Sequence, residues 1–175
     1  MNQKLSIVLT CGAWGLILAA AIAFFLLGQG SVDEEENLSQ LRECSETLET
    51  LGKALKTYTT DNKGNFPCEL EDLVRKGFLN DIHLLSCPSK QFHYVYTGEK
   101  LNVQTVSPDM PVVFDRINNH RLCINILFAD FRVRTVPLEK PSYSSLTPLI
   151  EKLTPEEQKV LRQKFDMLDK IFFLK

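Results

Sequence analysis

The chain has 175 residues, with 20 Lys and Arg against 22 Asp and Glu and a formal charge of −2. The two signs are mixed along it and no basic tract is present, which argues against a nucleic-acid partner. Setting aside one apolar N-terminal run leaves about 145 residues, the size of one ordinary domain.

That run spans residues 5–27 and holds no charged residue; its polar interruptions are Ser6, Thr10 and the glycines at 12 and 15. A bilayer core is crossed by about 20 apolar residues, and in lipid a helix is the form that satisfies its own backbone. Lys4 precedes the run, Asp33, Glu34, Glu35 and Glu36 follow it, and the first basic residue beyond is Arg42. Basic flanks stay in the cytoplasm. The expectation is therefore a single-pass inner-membrane protein with residues 1–4 cytoplasmic, 5–27 a transmembrane helix and the rest in the periplasm. A cleaved signal peptide is the competing reading. Against it stand the thin charged region, the long apolar stretch, and the position of Ala19-Ala20-Ala21 inside the run. A lipoprotein signal ending at Cys11 would have too short an apolar stretch before it.

Five cysteines are present. Cys11 falls in the span, which leaves Cys44, Cys68, Cys87 and Cys123 outside it. An even number in an oxidising compartment reads as a disulfide set, with three pairings that sequence does not separate; four buried thiols is the alternative. There is no Cys-x-x-Cys, and His83, His93 and His120 lack the spacing of metal ligands, so local spacing points to no zinc site.

Residues 28–36 read as a linker that opens on Gly28-Gln29-Gly30-Ser31. A helix is predicted from about Asn37 to Thr60. Leu38, Leu41, Cys44, Leu48, Leu51, Leu55 and Tyr58 recur at steps of three and four, on one face. The turn cluster at residues 61–65 ends it. Residues 69–76 predict a short helix with Gly77 as its C-terminal cap. From Gln91 the period becomes two, and Phe92, Tyr94 and Tyr96 predict a strand. Further strands are predicted at residues 111–115, 123–129 and 131–135, with Arg132 and Arg134 facing solvent. Short connections imply an antiparallel meander. Residues 138–175 are a linker and then an amphipathic helix. Thr154 caps it, Pro155 opens it, and Glu156 and Glu157 fill its first turn. Its stripe, Val160, Leu161, Phe165, Leu168, Ile171 and Phe172, reads as docking on its own domain or on a partner. The fold class is α+β.

The order of these elements resembles a type IV pilin or a type II secretion pseudopilin. More specifically it resembles the pilin-like family defined by His, nine residues, then Asp-Gly. The resemblance covers residues 44 to about 136. It rests on the helix around Cys44, Leu48, Leu51, Gly52 and Tyr58, and on the turn Asp61-Asn62-Lys63-Gly64-Asn65-Phe66-Pro67. It also rests on Cys87-Pro88-Ser89, and on His120 followed by nine residues and Asp130. The family implies a pilin-like domain over residues 37–137, self-association or contact with secretion components in the envelope, and no enzymatic activity. Two departures stand out. The leader Gly-Phe-Thr-Leu-x-Glu and its glutamate are missing from residues 5–27. Phe131 stands where the family has Gly. A left-handed phenylalanine costs about 1 kcal/mol or more, so this turn is expected to change shape. The runner-up function is a tethered protein-binding module with no filament role.

No Gly-x-Ser-x-Gly elbow or phosphate loop is present. Asp115, Arg116 and His120 read as turn-forming residues. Pseudopilins of the major class can bind calcium near their C-terminal strands, and Asp115, Asn118 and Asp130 offer oxygen ligands of suitable hardness; no other cofactor is indicated. Cys44 with Cys87 is the preferred disulfide.

Overall fold

The computed structural model describes residues 35–90, 92–117, 119–120 and 123–173. The apolar run of residues 5–27 and most of the linker lie outside them. Among the described residues no helix is long and apolar enough to cross a membrane. The chain divides into two units, Met1–Ser39 and Gln40–Lys175, and the second carries the sheet.

Helix α1 covers residues 35–61. Cys44, Leu48, Leu51, Leu55 and Tyr58 are all buried, so the three-and-four stripe forms its inner face from Cys44 onward; of the two earlier positions predicted with them, Leu41 is half-buried and Leu38 is exposed. The chain leaves the helix through Asn62 and Gly64, whose N–H groups donate to Tyr58 O and Thr59 O. Helix α2, Glu71–Arg75, is one short turn. Gly77 follows at φ +78°, and Phe78 N–H and Leu79 N–H both donate to Leu73 O, the left-handed cap that the glycine predicts.

Four strands make an antiparallel meander in the order β1-β2-β3-β4. They are β1 Val95–Tyr96, β2 Pro111–Phe114, β3 Cys123–Phe128 and β4 Val133–Pro137. The first strand is much shorter than the alternation from Gln91 predicts. Residues 92–94 pair instead with the preceding turn: Cys87 N–H donates to Phe92 O and Tyr94 N–H to Leu85 O, and His93 bridges Ser86.

Every residue of β2 is buried, as are five of the six in β3. A sheet buried on both faces needs two covers. One is α1. A Cβ on its Gly52 would lie 2.9 Å from a Leu127 methyl and 3.3 Å from Phe131 O, so glycine lets helix and sheet approach this closely without displacing either neighbour. The other cover is the C-terminal segment, which belongs to the same compact unit. It comprises a 3₁₀ helix, Tyr143–Leu146, and the helices α3, Thr147–Ile150, and α4, Pro155–Phe173. The Phe114 ring lies 5.9 Å from both Tyr143 and Phe165. Leu161 and Phe165 are buried, so the helix docks on its own domain; Val160 and Ile171, also in the predicted stripe, are exposed, as is Met167.

Thr154 and Glu157 form a reciprocal capping box at the start of α4. Thr154 N–H donates to Glu157 Oε2 at 2.9 Å and Glu157 N–H to Thr154 Oγ1 at 3.4 Å. Near its other end Asp169 accepts from Tyr143 N–H and Ser144 N–H, which caps the 3₁₀ helix. Strand β4 is the exposed edge. Arg132 and Arg134 face solvent as predicted and both ion-pair with Asp130, while Arg134 also lies over the Phe128 ring at 4.5 Å.

The β3–β4 turn corrects one expectation. Phe131 does adopt the left-handed conformation, at φ +65°. The turn survives because Phe131 N–H donates to Phe128 O at 2.9 Å and Asp130 Oδ1 accepts from Arg132 N–H at 3.0 Å. The Phe131 ring packs 5.9 Å from Phe66, a contact worth about 1 kcal/mol, comparable to the backbone strain. We expect Phe131→Ala to destabilise by about 1–2 kcal/mol, since it keeps the strain and loses the ring. Phe131→Gly should cost less than Phe131→Ala. Urea unfolding of both variants checks the order, and a less stable glycine variant would refute the strain.

Candidate metal centre

Four side chains from distant parts of the sequence converge between α1 and the sheet. The inward stripe of α1 carries Cys44. Cys87 lies in the turn after a 3₁₀ helix, Ile82–Leu85, and its N–H is held by Phe92 O. Asp115 follows β2, where its N–H donates to Asn125 O. His120 comes from the β2–β3 loop and bridges Cys123. The Sγ atoms, a carboxyl oxygen and a ring nitrogen of these four all lie within 4.8 Å of one another. Cys44, Cys87 and Asp115 are 0% exposed and His120 is 3% exposed.

Cys44 Sγ–H donates to Asp115 Oδ1 at 2.9 Å and lies 3.3 Å from Tyr94 Oη. His120 Nε2 is 3.3 Å from Asp115 Oδ2 and 3.9 Å from Cys87 Sγ. Asn125 N–H donates to Asp115 Oδ2 at 3.3 Å, and Asn119 Nδ2 to Oδ1 at 3.5 Å. Among the described residues, His120 Nδ1 is buried without a hydrogen-bond partner.

The electrostatics are those of a dry polar cluster. The neighbouring Cys44, opposed by burial and helped by His120, brings the Cys87 thiol down to about 5. The adjacent Cys87 sulfur, burial and the neighbouring Asp115 together push the Cys44 thiol far up. Burial draws His120 down, but the hydrogen bonds to Asp115 and Cys87 outweigh it and hold the ring at about 9. Burial raises the Tyr94 hydroxyl. Cys87 is thus the more acidic of the two thiols, and Cys44 is the one whose S–H is given to Asp115. A thiolate, an imidazole and a carboxyl make a nucleophilic set in many hydrolases, but this one is closed to solvent.

The residues singled out in the sequence distribute unevenly. The four described cysteines are free thiols. Cys44 and Cys87, the preferred disulfide, do meet, whereas Cys68 is exposed and Cys123 is half-buried at the start of β3. The calcium trio is not assembled. Asp115 points into the sulfur cluster; Asp130 lies past the other end of β3, more than about 10 Å away along the strand, engaged with two arginines. Asn118 lies outside the described residues. The motif residues His120 and Asp130 therefore serve different places, the cluster and the hairpin. Sequence spacing missed the four-residue set because no two members sit closer than Asp115 and His120. The available signals were a cysteine inside an apolar helical stripe and an acid directly after a wholly apolar strand.

Compared with known protein families, curated proteins and solved structures, the chain matches none.

Asn125 ties the cluster to both its neighbours. Its Nδ2 donates to Leu41 O at 2.9 Å, its Oδ1 accepts from Thr135 Oγ1 at 2.7 Å, and the residue is fully buried. Asn125→Ala should cost about 2 kcal/mol by stranding these partners. Chemical denaturation measures it; a loss below about 0.5 kcal/mol would mean that these bonds contribute little.

Proposed function

We propose that this chain is a non-enzymatic, pilin-like protein of the cell envelope. In this reading residues 5–27 anchor it in the inner membrane, and the domain outside works through protein–protein contact, beside a type II secretion or pilus-like assembly. The observation that carries the reading is the succession of an uncharged apolar run, a long amphipathic helix and a four-stranded antiparallel meander packed on that helix. Two further features support it. The cluster with chemically competent side chains is sealed from solvent, as suits a structural role. The outer face of α4 leaves Val160, Met167 and Ile171 exposed, apolar area of the kind protein contacts use.

The second reading, a tethered binding module with no filament role, draws on the lack of a glutamate in residues 5–27. In-membrane crosslinking separates the two: a ladder of homo-oligomers fits a filament, and one hetero-adduct fits a module. Both share an anchor. The full chain should sediment with membranes through carbonate extraction, and external protease should reach its C-terminal domain in spheroplasts. Deleting residues 5–27 should release it to the soluble fraction. A full chain that is soluble, or protected from external protease, would overturn the proposal.

A further inference from the structure

Cys44, Cys87, Asp115 and His120 present two sulfurs, one imidazole nitrogen and one carboxyl oxygen to a common centre. We propose that these four residues bind a zinc-class divalent cation as a closed, structural tetrahedral site. This goes beyond the envelope reading and does not depend on it.

Geometry comes first. Zinc bonds of about 2.0–2.3 Å in a tetrahedron set the ligand atoms roughly 3.3–3.8 Å apart. Here Asp115 Oδ2 and His120 Nε2 are 3.3 Å apart, His120 Nε2 and Cys87 Sγ are 3.9 Å apart, and no pair exceeds 4.8 Å. Small side-chain adjustments close such a shell. The donor set also selects the metal. Two thiolates with an imidazole favour zinc and its borderline-soft neighbours over calcium or magnesium, which take oxygen. The calcium trio read from the sequence shares only Asp115 with this site.

The surroundings suit bound thiolates. Outer hydrogen bonds orient metal ligands and tune them, and two of the four have such a partner. Tyr94 Oη lies against Cys44 Sγ, and Asn125 N–H and Asn119 Nδ2 against Asp115. His120 Nδ1 has none among the described residues. Full burial with four protein ligands describes a structural site, since a catalytic one keeps a position open. The rival occupant of the same space is a Cys44–Cys87 disulfide. That bond would use both sulfurs and take from the buried Asp115 the S–H that donates to it. A bound cation instead engages all four groups and withholds both thiols from oxidation.

The test is cobalt(II), then zinc, added to the full-length chain purified in detergent with reductant. We expect one cobalt per chain, with the strong visible bands of four-coordinate cobalt and a near-ultraviolet sulfur-to-cobalt band, both erased by stoichiometric zinc. Cys44→Ser and Cys87→Ser should abolish these bands; Cys68→Ser and Cys123→Ser should leave them intact. Two variants read the site with the ligand set conserved or exchanged. Tyr94→Phe should weaken cobalt binding about tenfold without altering the bands. His120→Cys should raise the sulfur-to-cobalt band by about half, as three thiolates replace two. Weak, octahedral-type bands would overturn the proposal, as would bands insensitive to Cys87→Ser or a sulfur band unchanged in His120→Cys. So would peptide mapping of protein alkylated directly in membranes, if it found Cys44 and Cys87 joined as a disulfide.

Discussion

The carboxyl of Asp115, fully buried at the end of β2, is the group around which the second unit is organised. A carboxyl out of water costs several kcal/mol unless each oxygen finds a donor. Its four partners come from three places. Cys44 brings α1, Asn125 N–H brings β3, and Asn119 and His120 bring the loop between β2 and β3. None of these segments can shift without leaving the acid partly unsatisfied. The register of β2 on β3, which pairs Phe114 with Ile126, and the seat of the helix on the sheet are thereby specified together. Apolar packing supplies most of the driving force; the buried polar set decides which packing.

How much was legible depends on how local each signal is. The stripe of α1, the left-handed Gly77 and the Thr154–Glu157 box depend on residues three or four apart, and sequence shows them directly. The meander was legible through its alternations, apart from β1. There, residues 92–94 obey the period of two but spend their backbone bonds on the Cys87 turn, a competition that no periodicity records. The Phe131 turn was misjudged because a local cost was weighed without the distant ring of Phe66 that offsets it. The cluster was invisible for the same reason in stronger form: its members lie at 44, 87, 115 and 120, and only the three-dimensional path brings them together.

The two faces of the sheet are closed by different means. Toward α1 the contact is tight and partly polar, with Gly52 against Leu127 and Asn125 reaching Leu41 O. On the other face it is aromatic, built on Phe114, Tyr143 and Phe165. Hydrogen bonds to Asp169 and Glu157 hold that segment in place: Asp169 takes Tyr143 N–H, and Glu157 takes Ser107 N–H from the loop before β2. A polar interface fixes one relative position, whereas an aromatic one tolerates small slides, so the polar clamps at both ends of α4 supply the precision that rings alone would lack.

The cover supplied by α4 has a cost in time. Phe114 leaves the ribosome about 50 residues ahead of Phe165, an interval of roughly 3–10 s at ordinary elongation rates. Throughout it the apolar face of β2 and β3 has no lid of its own, while α1 is already available for the opposite face. The nascent chain is thus half-closed before it is finished. That exposed sheet face is the surface a holdase would have to guard, and a chain truncated before Pro155 would never outgrow the need for one.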